Sequence, residues 1–210
     1  MKHGRTGTES HRHLLDLLRS LGARFTPDQA GALLGFESLL RDRAVPLGLI
    51  ARSDADRLLE RHVLDCVRAV PALLTTDREI ADVGSGAGLP GIPVAILRPD
   101  AHVSLVEPRR RAVAFLELAV ERLGLENVEV IAGRAERLER AFDVCLARAF
   151  GPLERTWQVV APLLGPGGRL VYFAGREFRL PEPPPEAVSL RMVVPPLLES
   201  GGPLVIMSRQ

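Results

Sequence analysis

Ala81-Asp82-Val83-Gly84-Ser85-Gly86-Ala87-Gly88-Leu89-Pro90-Gly91 is the most informative segment of this chain. It reads as the end of a β-strand, an acidic residue, alternating glycines and the first residue of a helix. Glycine is needed in such a turn because a Cβ atom would block positive φ angles and the approach of a ligand to the backbone. The segment therefore predicts a turn that binds a nucleotide-type ligand.

The same segment contains the spacing Gly-x-Gly-x-x-Gly, as Gly86, Gly88 and Gly91, which also occurs in dinucleotide-binding Rossmann folds. In those folds a pyrophosphate binds to free N–H groups at a helix N-terminus. Pro90 and Pro93 remove two such donors from the first turn of the expected helix. The local chemistry thus favours a ligand without a pyrophosphate, and a dinucleotide stays open as the alternative.

The residues around this turn predict an α/β fold behind a helical segment. Residues 1–74 carry apolar side chains at helical spacing without strand-like alternation, which predicts an N-terminal helical cap. Residues 75–210 alternate short apolar strands with helices, which predicts a doubly wound, mostly parallel sheet in one compact unit with the cap. Strands are expected at 80–83, 103–106, 128–131, 144–147 and 170–173, helices at 91–97, 110–123 and 153–164, and an antiparallel pair at 187–194 and 204–207.

Composition narrows the range of functions. The 210 residues include 27 basic and 26 acidic side chains, so any contact with nucleic acid must come from a local patch. Cys66 and Cys145 lie far apart without metal-ligand spacing, which indicates a reducing compartment and no metal site. No apolar run approaches a signal region or a membrane span. We therefore expect a cytoplasmic protein without a membrane partner, and a monomer.

Glu107 is the first candidate ligand-binding side chain outside the glycine turn. Doubly wound sheets bind ligands at the carboxyl ends of their strands, and Glu107 is expected to end the second strand beside the turn. A carboxylate there can accept hydrogen bonds from both hydroxyls of an adenosine ribose. The alternative is a surface glutamate that pairs with Arg109 or Arg110.

Four motifs in a fixed order resemble those of a known family. They are RHVLDC at Arg61–Cys66, DVGSGAGLPGIP at Asp82–Pro93, GRAE at Gly133–Glu136 and ARA at Ala147–Ala149. Over residues 30–175 the chain resembles the bacterial ribosomal RNA small subunit methyltransferase G family, also called glucose-inhibited division protein B. The resemblance implies a Rossmann-like class I methyltransferase fold with S-adenosyl-L-methionine (AdoMet) as cofactor and S-adenosyl-L-homocysteine as product. It also implies methylation of guanine N7 in 16S ribosomal RNA of the small ribosomal subunit.

The resemblance implies roles for individual residues. AdoMet would be bound by residues of the glycine turn and of the next strand ends, namely Asp82, Gly84, Ser85, Gly86, Gly88, Leu89, Glu107, Ala135, Glu136 and Arg148. Arg148 would also orient the substrate against the cofactor. It lies in an apolar run, where a charged side chain is costly without a partner. Because guanine N7 carries a lone pair and no proton, we expect orientation rather than a general base to drive the reaction.

Contacts with RNA are expected from side chains near the strand ends. Phe150 follows the fourth strand and would stack on a base, with core packing as the alternative. Arg109, Arg110 and Arg111 would meet phosphates, unless the run is a solvated helix face. His62 and Asp65 are expected to lock the helical cap to the sheet through hydrogen bonds.

The chain departs from the family pattern at several positions. Val45–Leu49 replaces an Asn-Leu-Thr motif, Ala174 stands where a lysine is common, Glu107 replaces an aspartate and Pro108 replaces a serine. Two alternatives therefore stay open. One is an AdoMet-dependent methyltransferase that acts on a small molecule or another RNA, and the other is a non-catalytic, nucleotide-binding Rossmann-like protein.

Overall fold

The computed structural model of the protein describes residues 14–16, 18–20, 24–179, 187–193 and 201–209. Their strands are β1 (Glu79–Val83), β2 (His102–Glu107), β3 (Val128–Ala132), β4 (Phe142–Arg148), β5 (Leu164–Phe173), β6 (Ala187–Val193) and β7 (Leu204–Arg209). They form one sheet in the order β3-β2-β1-β4-β5-β7-β6, in which β1 to β5 are parallel. β7 runs antiparallel to both β5 and β6. The predicted doubly wound, mostly parallel sheet is confirmed, as is the late antiparallel pair; the predicted end of its first strand at residue 194 lies outside the described residues.

The α-helices of the described residues connect and cover these strands. Besides the helical residues 14–16 and 18–20, they are α1 (Pro27–Leu39), α2 (Leu64–Val67), α3 (Gly91–Leu97), α4 (Arg110–Leu123) and α5 (Leu153–Val160). Leu40–Ala44 and Leu59–Val63 are π-helical, and 3₁₀ turns occur at Arg52–Arg57, Val70–Ala72, Ala135–Arg137 and Ala161–Leu163. The described residues between 24 and 74 therefore form helices, turns and short irregular stretches, without a strand. Among all described helices, none is long and apolar enough to cross a membrane.

Local sequence signals explain where the longer helices begin and end. Thr26 precedes α1, and its side chain accepts a hydrogen bond from the N–H of Gln29 at 3.2 Å. The Gln29 side chain accepts in return from the Thr26 N–H at 2.8 Å, which completes a capping box. α4 ends at Leu123, and the next residue, Gly124, caps it with a φ of 62°, which glycine readily adopts.

The two faces of the sheet are covered by different helices. The N-terminal helices share one buried cluster with α3, α4 and the sheet, in which Leu33 and Phe36 lie with Ile80, Leu105 and Phe115. The opposite face carries α5, whose Trp157 and Val160 lie in a second cluster with strand residues. The helical N-terminal segment thus packs directly on the sheet and shares its core.

The predicted boundary between the helix and the strand within residues 153–173 was wrong. The helix ends at Val160 rather than Leu164, and β5 begins at Leu164 rather than Leu170. Phe142 pairs with Leu164 but Val144 pairs with Arg169, so the glycine-rich residues 165–168 form a bulge on the strand. Residues 165–168, which were predicted to form a turn between a helix and a strand, are therefore extra residues within β5.

The sheet order places the candidate residues together. β1 has β2 on one side and β4 on the other, so the chain reverses its winding between β1 and β4. In doubly wound sheets the ligand crevice lies at the carboxyl ends of the strands at such a reversal. The glycine turn after β1, Glu107 at the end of β2 and Arg148 at the end of β4 all lie at that edge.

Candidate active site

The glycine turn between β1 and α3 adopts the strained backbone that its sequence predicts. Gly84, Gly86 and Gly88 have φ angles of 75°, 55° and 79°, a region that residues with a Cβ atom rarely adopt. The Ser85 hydroxyl donates to the Asp82 carbonyl at 2.8 Å, and the N–H of Gly88 donates to the Ser85 carbonyl at 2.7 Å. Asp82, Ser85 and Gly88 thus hold the turn in shape, and any contact they make with a ligand stays a prediction.

The N-terminus of α3 has its first backbone donors already engaged. The Gly91 N–H donates to Oδ2 of Asp82 at 2.9 Å, and the Ile92 N–H donates to the Gly88 carbonyl at 2.9 Å. Pro93 follows and has no N–H. A pyrophosphate would need these groups free, so the geometry agrees with a ligand that lacks one.

Asp82 is a buried acid with an unusual environment. Its side chain is fully buried, and its Oδ1 atom has no hydrogen-bond partner among the described residues. Burial raises the pKa of Asp82 to about 7, although the Gly91 N–H and the nearby Arg148 charge act in the opposite direction. A buried acceptor without a partner is costly unless it is protonated or meets a donor.

Glu107 reaches the turn from the end of β2, as predicted. It is 2% exposed, and its Oε2 accepts a hydrogen bond from the N–H of Gly86 at 2.8 Å. Its Oε1 accepts from the backbone N–H of Arg109 at 2.9 Å and from Nε of the same residue at 2.8 Å. Burial alone would raise the pKa of Glu107, but the hydrogen bonds from Arg109 and Gly86 outweigh it and lower the pKa. Glu107 is therefore a buried carboxylate, not the surface glutamate of the alternative, although it does pair with Arg109.

A small cleft of about 260 Å³ lies at the ends of β1 to β4, and its lining includes Val106 and Pro108, the two neighbours of Glu107 in sequence. Its walls are Gly84, Val106, Pro108, Arg134, Ala135, Glu136, Phe150 and Arg155. The Phe150 ring lies directly over Gly84, because a Cβ atom on Gly84 would come within 2.6 Å of Phe150 Cδ2. The cleft brings together Gly84, Ala135 and Glu136, which were predicted to bind AdoMet. It also contains Phe150, which was predicted to stack on an RNA base.

Arg148 ends β4 and is held by the helical segment. Its Nη2 donates to the Arg61 carbonyl at 3.2 Å and to Nδ1 of His62 at 3.3 Å, and its Nε lies 3.4 Å from Oδ2 of Asp65. Nη1 also contacts the Cys66 sulfur at 3.8 Å. The expected charge partner of Arg148 is thus found, and His62 and Asp65 connect the helical segment to the sheet as predicted.

The tautomer of His62 follows from its neighbours. Arginine can only donate, so Nδ1 of His62 must accept from Arg148 and its Nε2–H donates to Asp54, 3.3 Å away. Burial, followed by the charge of Arg148, lowers the pKa of His62 and keeps its ring neutral. The network therefore depends on an uncharged imidazole.

Residues 29–179 match the rRNA small subunit methyltransferase G family. This chain belongs to that family. A ribosomal RNA small subunit methyltransferase G from Frankia casuarinae is 40% identical over 153 residues, covering 70% of this chain and 57% of the relative. One from Thermobifida fusca is 40% identical over 171 residues, covering 80% of this chain and 72% of the relative. The chain spans little more than half the length of the Frankia relative.

Solved structures support the fold. The magnesium protoporphyrin IX methyltransferase of Synechocystis PCC 6803, crystallised with bound S-adenosylmethionine, superposes with a TM-score of 0.58 at 13% identity. The match covers 85% of this chain and 97% of that one. It confirms the class I methyltransferase fold that the strand order indicates.

The motifs that carry membership of the methyltransferase G family converge in space. Arg61–Cys66 packs against the end of β4 through Arg148, which belongs to the Ala147–Ala149 motif. Ala149 has a φ of 54°, a strained conformation for a residue with a Cβ atom. Gly133–Glu136 and the glycine turn form two sides of the small cleft.

Some predicted residues of this family member lie away from the small cleft or are already engaged. Arg109 is bound to Glu107, and Arg111 donates to the Leu47 carbonyl at 3.3 Å. Arg110 is exposed at the start of α4. Leu89 is 7% exposed and packs in the main core. Contact of these residues with RNA or cofactor remains a prediction.

A larger cleft, of about 820 Å³, opens beside Arg148. It lies between the helical segment and the ends of β4 and β5, and its charged walls are Arg57, Arg61, Asp65, Arg68, Arg148, Arg176 and Glu177. No role was predicted from the sequence for Arg57, Arg68 or Arg176. The one sequence signal for Arg57 and Arg68 was the recurrence of arginine at positions 57, 61 and 68 in an otherwise amphipathic segment, and this signal does not extend to Arg176. We call this cleft the arginine cleft.

Proposed function

We propose that this chain binds AdoMet at the ends of β1, β2 and β3 and methylates N7 of a guanine in 16S ribosomal RNA. The observation that carries the proposal is the buried Glu107 carboxylate, hydrogen-bonded to Gly86 beside a helix N-terminus whose donors are engaged. This arrangement suits a ribose without a pyrophosphate. Membership of the rRNA small subunit methyltransferase G family supports both the reaction and the RNA substrate.

The residues present fit an adenosine-type cofactor. Glu107 would accept from the ribose hydroxyls, sharing its carboxylate with Arg109, because a carboxylate has about four acceptor sites. Gly84, Ala135, Glu136 and Phe150 would enclose the adenine in the small cleft. Asp82, Ser85, Gly86, Gly88 and Leu89 would form the turn that faces the remaining part of the molecule. The unpartnered Oδ1 of Asp82 lies at this turn.

Methylation of guanine N7 needs little acid or base catalysis. When bound, AdoMet supplies an electrophilic methyl group on a positively charged sulfur. Guanine N7 already presents a lone pair, so the protein has no proton to remove. Its contribution is to hold the base in line with the methyl group, and orientation of this kind is worth up to ~7–11 kcal/mol in favourable cases.

Arg148 is a positioning residue in this mechanism. Its guanidinium contacts Arg61, His62, Asp65 and Cys66, so its donors hold the helical segment on the end of β4. Arg61, Asp65 and Arg148 all line the arginine cleft, so this contact would help to define the space in which the target nucleotide would lie beside the cofactor. Replacement by lysine keeps the charge but removes the fork of donors. We expect Arg148→Lys to raise KM for RNA more than it lowers kcat.

The remaining expectations are part of the same proposal. The substrate would be the 16S RNA of the small ribosomal subunit. The protein would act in the cytoplasm, where ribosomes are assembled. A monomer would suffice, because the chain itself supplies both clefts.

Calorimetric titration tests the cofactor assignment. Wild-type protein is titrated with AdoMet, S-adenosylhomocysteine and NAD, and the titrations are repeated on Gly84→Val. We expect micromolar binding of the first two ligands to the wild type, loss of both in the variant, and no binding of NAD. Binding of NAD in place of AdoMet would overturn the proposal in favour of the dinucleotide alternative.

A further inference from the structure

The arginine cleft has an unequal charge balance. Among the described residues, five arginines, Arg57, Arg61, Arg68, Arg148 and Arg176, line it together with Asp65 and Glu177. The chain as a whole is nearly neutral, with a formal net charge of +1. Positive charge is therefore concentrated at this cleft, and a cleft lined by one sign of charge attracts ligands of the opposite sign.

Two of these arginines, Arg68 and Arg148, are bound to other residues of the protein. Arg68 is 3% exposed, forms an ion pair with Asp65 and donates to the Gly202 carbonyl at 2.9 Å. Arg148 is 19% exposed and is held by the contacts described above. Both interact with the carboxylate of Asp65. Neither can turn to a ligand without depriving the buried Asp65 charge of a partner.

Arg57 and Arg61 are placed differently. Their side chains are 57% and 44% exposed, and they lie four residues apart on the rim of the cleft. Arg57 lies 3.9 Å from Oδ1 of Asp54, and Arg61 lies 3.2 Å from the same atom. The second oxygen of Asp54 faces His62. The single negative charge of Asp54 therefore lies between two positively charged arginines, Arg57 and Arg61, and this group of three side chains keeps a net positive charge on the rim.

We propose that Arg57 and Arg61 bind backbone phosphates of the RNA strand that carries the target guanine, while Arg68 and Arg148 maintain the shape of the cleft. The inference rests on the proposed function and adds the residues that hold its substrate. Guanidinium groups match phosphate geometry with paired donors, and exposed arginines exchange a weak ion pair for such a contact at low cost. The cleft is adjacent to Arg148 at the end of β4, so a bound strand would pass close to the cofactor site.

Binding of a short, guanine-containing single-stranded RNA, measured by fluorescence anisotropy over a range of KCl concentrations, tests this proposal. The protein is saturated with S-adenosylhomocysteine, and the variants are Arg57→Gln, Arg61→Gln and the double variant. Arg122→Gln is the matched control, since Arg122 is exposed in the last turn of α4 and does not line the arginine cleft. Removal of one phosphate contact should lower the slope of log K against log salt by about 0.7 for a single strand.

The expected result is about a tenfold or greater loss of affinity in the double variant, with a slope lower by roughly 1.4, and no change in Arg122→Gln. Arg57→Lys and Arg61→Lys retain the charge and should retain the slope, which a purely structural role would not predict. The proposal is overturned if the double variant binds RNA like the control. It is also overturned if the variants bind RNA normally but fail only on assembled subunits, because the arginines would then contact protein.

The same titrations separate this proposal from the one on which it rests. Every variant is first titrated with S-adenosylhomocysteine, which should bind with wild-type affinity because Arg57 and Arg61 do not line the small cleft. If the wild type itself does not bind this ligand, the proposed function fails. If the ligand binds and the double variant keeps its RNA affinity, only the assignment of the two arginines fails.

Discussion

Replacing Gly84 by alanine should destabilise the chain through two separable effects. The first is backbone strain, since Gly84 has a φ of 75°, which costs a residue with a Cβ atom about 1–2 kcal/mol. The second is a steric clash, because the new Cβ atom would lie 2.6 Å from Cδ2 of Phe150. Displacing a packed ring costs about 1–3 kcal/mol. We therefore expect a total loss of roughly 2–5 kcal/mol in the free energy of unfolding.

Two further variants separate these effects. Gly48 has a φ of 71°, and a Cβ atom added there would meet nothing within 4 Å, so Gly48→Ala reports backbone strain alone. Phe150→Ala in the Gly84→Ala background removes the clash, and the double-mutant cycle should return a coupling of about 1–3 kcal/mol. Urea denaturation measures each unfolding free energy, provided that the slope with denaturant stays constant.

The outcome also bears on the cofactor site. Gly84→Ala should weaken AdoMet binding by about tenfold or more, about 1.4 kcal/mol, because the displaced ring moves into the small cleft. Gly48→Ala should leave this affinity unchanged. If Gly84→Ala costs no more stability than Gly48→Ala, or if the cycle with Phe150→Ala shows no coupling, then Phe150 does not clash with a Cβ atom at position 84.

Other perturbations give results of predictable sign. Glu107→Gln should lower AdoMet affinity by about 10–100-fold in calorimetry, since a charge-assisted acceptor is removed, whereas Glu126→Gln, at an exposed turn, should have no effect. Asp82 has a pKa of about 7 in the folded chain against 3.8 for an ordinary aspartate, so the fold binds its proton more tightly. Wild-type stability should accordingly fall relative to Asp82→Asn as pH rises from about 4 to about 7, by up to about 1.4 kcal/mol per unit, and an equal pH dependence in both proteins would contradict the burial argument. The pKa of His62 is lowered from 6.5, so the neutral ring stabilises the fold fully above pH 6.5, and this stabilisation is lost as the pH falls through the lowered value. In urea denaturation, His62→Gln should therefore lose less stability in acid than the wild type. A steeper loss of stability in the variant would show that the charged ring is the native form. Burial raises the pKa of the Cys66 thiol to about 12, so a thiol reagent should label it only after unfolding, and rapid labelling of the native protein would contradict its burial.

Much of the fold was predictable because its signals are local. The strands around the glycine turn, β1, β2 and β4, are short apolar runs, and their observed bounds differ from the predicted ones by at most two residues at either end. Glu107 was placed correctly because the last residue of a parallel strand must lie at the ligand-binding edge. Arg148 could be assigned a partner in advance because a charge in an apolar strand needs one, and the partners proved to be in the Arg61–Cys66 motif.

The features that sequence did not reveal depend on contacts between distant segments. The arginine cleft joins residues near positions 57–68, 148, 172–177 and 201–202, and no local pattern indicates that they meet. From sequence, pairing of Glu107 with Arg109 or Arg110 was an alternative to ligand binding, and the structure shows that Arg109 folds back onto Glu107, which competes with a contact to RNA. The bulge at residues 165–168 looks like a turn until the pairing of β4 with β5 is known.

Methyl transfer to small ribosomal subunits that lack the modification shows whether this chain methylates 16S RNA. The protein is incubated with these subunits and isotopically labelled AdoMet, and the 16S RNA is digested and mapped by mass spectrometry. We expect one labelled methyl group per 16S RNA molecule, at N7 of a single guanine, and labelling about 10–100-fold slower with Glu107→Gln at limiting AdoMet. A protein that binds AdoMet yet leaves 16S RNA unlabelled, or that methylates another atom, would contradict the proposed function.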